Sequence, residues 1–134
     1  MTAFHHIRLG LAREPGHPHG DSRTGWDIVA ALDDTGHLDL AACRAEPDRC
    51  RIRHFVRDAT VGTGRLRHGP GDRWLFDLEP DEGLDETGFR LGSERFVLGE
   101  YVSIIAPDGV IHTYGVERLQ SLVDDGGEII GSSD

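Results

Sequence analysis

A chain of 134 residues, 37% hydrophobic and 28% charged, has the size and composition of one soluble globular domain that buries its own core without disulfides. No apolar run approaches the roughly 20 residues of a spanning helix, and two histidines and an arginine interrupt residues 1–11 where a secretory signal needs an apolar stretch; a cytoplasmic location without a membrane partner is therefore expected. The net charge of −10 disfavours nucleic acid as a partner, and because all fourteen basic residues are arginine, Schiff-base, P-loop and lysine general-base chemistry are excluded.

Taken in chain order, short period-two patterns dominate. In "FHHIRLGLA", residues 4–12, Ile7, Leu9 and Leu11 fall on one face and His6, Arg8 and Gly10 on the other, as in a strand with one buried side. Further strands are expected at "GWDIVAAL" (25–32), "CRIRHFV" (50–56), "GRLRHG" (64–69), "DRWLFDLE" (72–79) and "RFVL" (95–98). Turn signals separate them at "DDTG" (33–36), "HGPGD" (68–72) and "EPDEG" (79–83). One helix is expected near residues 39–46, with Asp39 as its N-cap and Pro47 limiting its extension. The clearest element is "EYVSIIAPDGVIHTYGVERL" (100–119), two β-rich runs around Pro107-Asp108-Gly109, which reads as a hairpin.

This pattern predicts an all-β, mainly antiparallel fold, a small partly open barrel or sandwich of about seven or eight short strands with one short α-helix. Residues 1–119 form the β-rich domain; residues 120–134, acidic and rich in glycine and serine, read as a largely disordered tail. Within the hairpin region, "FVLGEYVSIIAPDGVIHTY" (96–114) resembles a family of small uncharacterised bacterial proteins, over about two thirds of the chain from Phe4 through the hairpin. The resemblance implies a compact β-rich domain and brings no activity or catalytic residue with it.

Four candidate chemistries follow from the residues. Four of the eight histidines lie within residues 5–19. A metal site would draw on His5, the His17-x-His19 pair and the cysteines Cys43 and Cys50, although only the His-x-His pair has chelating spacing. Six residues separate the cysteines, and on one continuous helix their Cα atoms would stand about 10 Å apart, beyond disulfide reach. They are expected to be free, partly buried thiols. No cofactor is expected.

The arginines offer an anion-binding face. Residues 44–73 hold eight arginines against four acids. Arg51 and Arg53 share one strand face, and Arg65 and Arg67 another, so neighbouring strands can present guanidiniums to phosphate. Like charges opposed on a sheet repel, so a ligand or the protein's own acids, Asp77 and Glu79 among them, must compensate. Internal pairing is the preferred compensator.

Hydrolytic catalysis lacks a nucleophile elbow, and the glycines of "VGTGRLRHGPG" do not precede the helix a dinucleotide fingerprint requires. An aromatic set, Trp26, Trp74, Tyr101, His112 and Tyr114, is the raw material for a ligand-binding mouth, against the plainer reading of core tryptophans edged by tyrosines. The leading expectation is a non-enzymatic module that recognises a protein or small-molecule partner through a sheet face or barrel mouth. A metal protein or metal-dependent small enzyme, and an arginine-face binder of a phosphate-bearing partner, stand as alternatives.

Overall fold

The computed structural model describes residues 3–13, 18–68, 74–79, 94–105 and 110–122. In chain order the elements are β1 (Ala3–Leu11), β2 (Asp21–Leu32), α1 (Leu40–Ala45), a 3-10 turn (Pro47–Arg49), β3 (Arg51–Val56), β4 (Ala59–His68), β5 (Trp74–Glu79), β6 (Tyr101–Ile105) and β7 (Ile111–Ser121). Among the described residues seven strands form one antiparallel sheet in the order β5-β4-β3-β2-β1-β7-β6, which curls into a half-barrel. β1 to β5 form a meander, and the β6–β7 hairpin joins its other side by pairing β7 with β1. The strand pattern of an open barrel with one short helix is therefore present.

Alternation determines where the core sits. Ile7 and Leu9 of β1, Trp26 and Ile28 of β2, Phe76 of β5 and Val116 of β7 are buried on the inner side of the curl, where apolar side chains leave water together. Trp26 stacks on His54 at 4.3 Å between ring centroids and meets Phe76 edge-on at 4.7 Å, so the aromatic rings tie β2, β3 and β5 together. At one end, α1 begins as its cap predicts, the Asp39 carboxylate accepting the Ala42 N–H at 3.0 Å. Cys43, on the buried side of this helix, joins the core beside Ala31.

Several boundaries differ from the sequence reading, each for a local reason. The run at 95–98 forms no strand: Phe96 is fully buried and its N–H donates to the Gly36 carbonyl at 2.8 Å, so a single apolar plug against the 33–36 turn replaces a ladder. β4 begins at Ala59, five residues before the pattern at Gly64, because β3 and β4 are joined directly by Arg57 and Asp58, both at positive φ (51° and 70°). Such a turn ordinarily carries asparagine and glycine. Here β2 holds the strained pair: the Asp58 N–H donates to the Arg23 carbonyl at 2.7 Å, and the Arg23 guanidinium meets the Asp58 carboxylate at 2.6 Å. The Pro107-Asp108-Gly109 turn and most of the expected tail lie outside the described residues, while β7 itself continues to Ser121. Among the described residues no helix is long and apolar enough to cross a membrane.

Gly25 of β2 leaves no room for a side chain. A Cβ there would lie 1.8 Å from the Leu9 carbonyl oxygen, where β1 and β2 are pressed together beside the irregularity at Gly10 and Leu11. Gly25→Ala is expected to cost about 3 kcal/mol or more in urea unfolding, since backbone rather than a side chain must move. Gly99→Ala, at φ +87° with no atom within 4 Å of the new Cβ, should cost only about 1 kcal/mol. Equal losses at the two positions would contradict the close approach.

Candidate functional site

The same alternation that fills the core lines the opposite side of the sheet with charge. β1 contributes His6 and Arg8, β2 Asp27, β3 Arg51 and Arg53, β4 Thr63, Arg65 and Arg67, and β5 Asp77. Register then sets their neighbours: Arg53 stands between Asp27 and Thr63, and Arg51 between Val29 and Arg65, with Asp77 on the far side of Arg65.

Asp27 is the hub. Only 13% of its side chain is exposed, and its Oδ1 accepts from His6 Nε2 at 2.9 Å while its Oδ2 accepts from Arg53 Nη1 and lies 3.5 Å from Arg8 Nη1. Burial pushes the carboxyl up, but hydrogen bonds from His6 and Arg53, together with the charges of His6 and Arg8, outweigh it and hold the group below its usual value. Arg53 is further fixed by donating through Nε to Thr60 Oγ1 at 2.6 Å. Beneath these guanidiniums lies Phe55, fully buried on the charged side of the sheet, with Arg8 4.1 Å and Arg53 5.1 Å from its ring centroid. A carboxylate and an aromatic ring thus pin two arginines across three strands.

The neighbouring arginines are held more loosely. Arg65 pairs with Asp48 of the 3-10 turn at 2.7 Å and Arg67 with Asp77 at 3.0 Å, in side chains that are all half or more exposed, so water and salt screen both pairs. Arg51 donates through Nε to the Asp48 carbonyl at 3.3 Å and makes no ion pair among the described residues. His6, Asp27, Val29, Arg51, Arg53, Thr63 and Arg65 surround an open groove of about 490 Å³, and Arg65 also borders a second of about 480 Å³ with Pro47, Arg67 and Asp77. The two grooves meet at Gly64 and Arg65.

Internal pairing therefore compensates Arg53, Arg65 and Arg67, as the sequence favoured, and Asp77 takes the expected part. Glu79 stands opposite Thr63 in the register. Asp27 and Asp48, the two other carboxylates, were not singled out: Asp27 reads as one polar position in an ordinary alternating strand, and Asp48 arrives from a turn rather than from the sheet.

The aromatic set does not converge. Trp26, Trp74 and Tyr114 are buried in the core, whereas Tyr101 is 66% exposed on the opposite side of its strand from buried Val102, its ring lying over Gly115. His112 of β7 is half-buried, opposite Ile104. The correction is physical: residues adjacent on paired strands share a site only if they share a face, and Tyr101 and Tyr114 do not.

The proposed metal ligands are also dispersed. His5 is half-buried on β1, His19 is exposed before β2, and His17 lies outside the described residues. Cys43 and Cys50 are free and buried beside each other. Among the described residues no group of three or more histidine, cysteine or acidic side chains is placed to hold a metal ion. Nor is any serine, threonine or cysteine there hydrogen-bonded to His6, so the His6–Asp27 pair lacks the hydroxyl or thiol of a nucleophilic triad.

Comparison with protein-family models, curated proteins and solved structures returned no match.

The Asp27 cluster has a pH signature. Its carboxyl titrates below the reference value of 3.8 when folded, so the stability it contributes is complete above that value and is lost as pH falls through the lower folded one. Asp27→Asn should remove about 2 kcal/mol at neutral pH, because Arg8 and Arg53 lose their shared charge partner, and should flatten the acid limb of stability against pH in urea titrations. A variant as stable as the parent at pH 7 would show that the cluster is a surface ornament.

Proposed function

We propose that this domain is a non-enzymatic recognition module whose outer groove across β2, β3 and β4 grips an anionic group, a phosphate or carboxylate, on a protein or small-molecule partner. The observation that carries this reading is the pairing of Arg51 with Arg65, directly opposed on neighbouring strands and facing a groove of about 490 Å³. Opposed like charges destabilise a sheet unless something bridges them. The Asp48 carboxylate reaches Arg65 from an exposed turn, and it is the kind of weak partner that an incoming anion replaces.

Guanidinium chemistry supports recognition over catalysis. Arginine stays protonated at every accessible pH and offers parallel donors to two oxygens at once, which suits orientation of an oxyanion and not transfer of a proton. The firm and loose arginines divide the work: Arg53, fixed by Asp27 and Thr60, forms a wall, and Arg51 and Arg65 are available to the ligand. A short or locally anionic partner fits better than nucleic acid. The chain's net charge of −10 repels long polyanions. Phe55 and Trp74, the aromatic residues nearest the arginines in sequence, are buried and offer bases no stacking surface.

Titration of isotopically labelled protein with pyrophosphate at low salt should move amide resonances of Arg51, Arg53 and Thr63 to Arg67 together, with the effect weakening as salt rises. Replacing both Arg51 and Arg65 by glutamine should reduce the affinity by about tenfold or more, the loss of at least one charge-assisted hydrogen bond. Shifts centred on the β6–β7 hairpin, or an unchanged affinity in the double variant, would overturn the assignment.

A further inference from the structure

We propose that Cys43 and Cys50 are a thiol-oxidation site, at which a low-molecular-weight disulfide converts the pair to an intramolecular disulfide that clasps the segment carrying Asp48. The effect on the arginine face rests on the function proposed above; the oxidation does not.

The fold brings together two thiols that a continuous helix would separate. α1 stops at Ala45, Pro47 opens the 3-10 turn, and the chain doubles back so that Cys50 enters β3 beside the helix. Cys50 Sγ lies 3.9 Å from the Cys43 carbonyl oxygen and 4.0 Å from the Glu46 carbonyl oxygen, so its thiol donates back to the end of α1 that carries Cys43. Both cysteines are free and buried. Their surroundings suit a disulfide, which is uncharged, better than a metal dithiolate, whose charge would have to be buried.

Access distinguishes the two sulfurs. Cys43, with Leu40, Arg44, Pro47, Leu66 and Trp74, lines a surface groove of about 200 Å³, and Cys50 does not. Neighbouring Cys50 holds the Cys43 thiol below its usual value, while Cys43 and burial push Cys50 up, and Cys43, the sulfur that borders the groove, is the one an incoming disulfide meets. Its thiolate attacks one sulfur of the incoming disulfide, forming a mixed disulfide and releasing one thiolate. Cys50 then attacks the Cys43 sulfur and expels the second. Two cysteine thiols lose two electrons and two protons, and one small disulfide is reduced to two small thiols.

The consequence follows from what lies between the cysteines. The closed segment contains Asp48, whose carbonyl accepts from Arg51 and whose carboxylate pairs with Arg65. A covalent link at its two ends restricts that turn and so alters how firmly Asp48 occupies the two arginines most available to a ligand.

Native full-length protein should be incubated with oxidised glutathione, alkylated, and analysed by intact mass and peptide mapping. The expected result is a mass lower by two hydrogen atoms, a 43–50 cross-link, no remaining free thiol, and movement of the Asp48, Arg51 and Arg65 amide resonances. Cys50→Ala should stop at a glutathione adduct on Cys43, and Cys43→Ala should remain unmodified. Retention of both thiols in native protein, under conditions that oxidise it in denaturant, would overturn the site. A bridge that left the Asp48, Arg51 and Arg65 resonances unmoved would overturn the clasp. Because glutathione, itself an anion, is removed before the spectra are recorded, these readouts stand or fall separately from pyrophosphate binding.

Discussion

One carboxylate shared by three strands organises the outer side of this half-barrel. Asp27 draws His6 and Arg8 from β1 and Arg53 from β3 onto β2, and it remains ionised because hydrogen bonds and positive charge outweigh its burial. The two guanidiniums, on neighbouring sides of β2, would otherwise repel each other. With Asp27 in place Arg8 and Arg53 cover Phe55, giving the charged face a small apolar floor of its own, separate from the main core. The arrangement converts an electrostatic liability into a rigid wall.

Rigidity there sets off the looser arginines beside it. Arg51, Arg65 and Arg67 rely on Asp48 and Asp77, in exposed pairs or through a carbonyl, where each interaction contributes little net stability. Such pairs exchange easily for an oxyanion that offers more oxygens in a fixed geometry. In the proposed anion site Asp48 is the partner to displace, because it lies on the turn between α1 and β3, outside the sheet ladder.

Much of the architecture was legible in the sequence. Period-two alternation at 4–12, 25–32, 50–56 and 72–79 located four strands and their apolar faces, and Asp39 before Leu40 located the helix start. The parity of Arg51, Arg53, Arg65 and Arg67 placed them on one face, and Asp77 among their partners. What stayed hidden depends on contacts distant in the chain. The Arg57-Asp58 turn has no local turn chemistry and is held by Arg23, so the first residues of β4 carried no signal. Phe55 is adjacent to the arginines in sequence, but its burial beneath Arg8 and Arg53 depends on β1 and so carried no local signal. The cysteines were judged from helical spacing, which Pro47 breaks. Among the aromatic residues Tyr101 parts from Tyr114 because the β6–β7 register, which composition does not give, pairs Tyr114 with Val102 and leaves Tyr101 on the other face.

Direct observation of the Asp27 side-chain carboxyl carbon by NMR, as pH is lowered, tests this account at its centre. The predicted result is a midpoint below 3.8, accompanied by simultaneous changes at the guanidinium resonances of Arg8 and Arg53. A midpoint at or above that value, or arginine resonances indifferent to the titration, would mean that the outer face is organised by something other than this carboxylate.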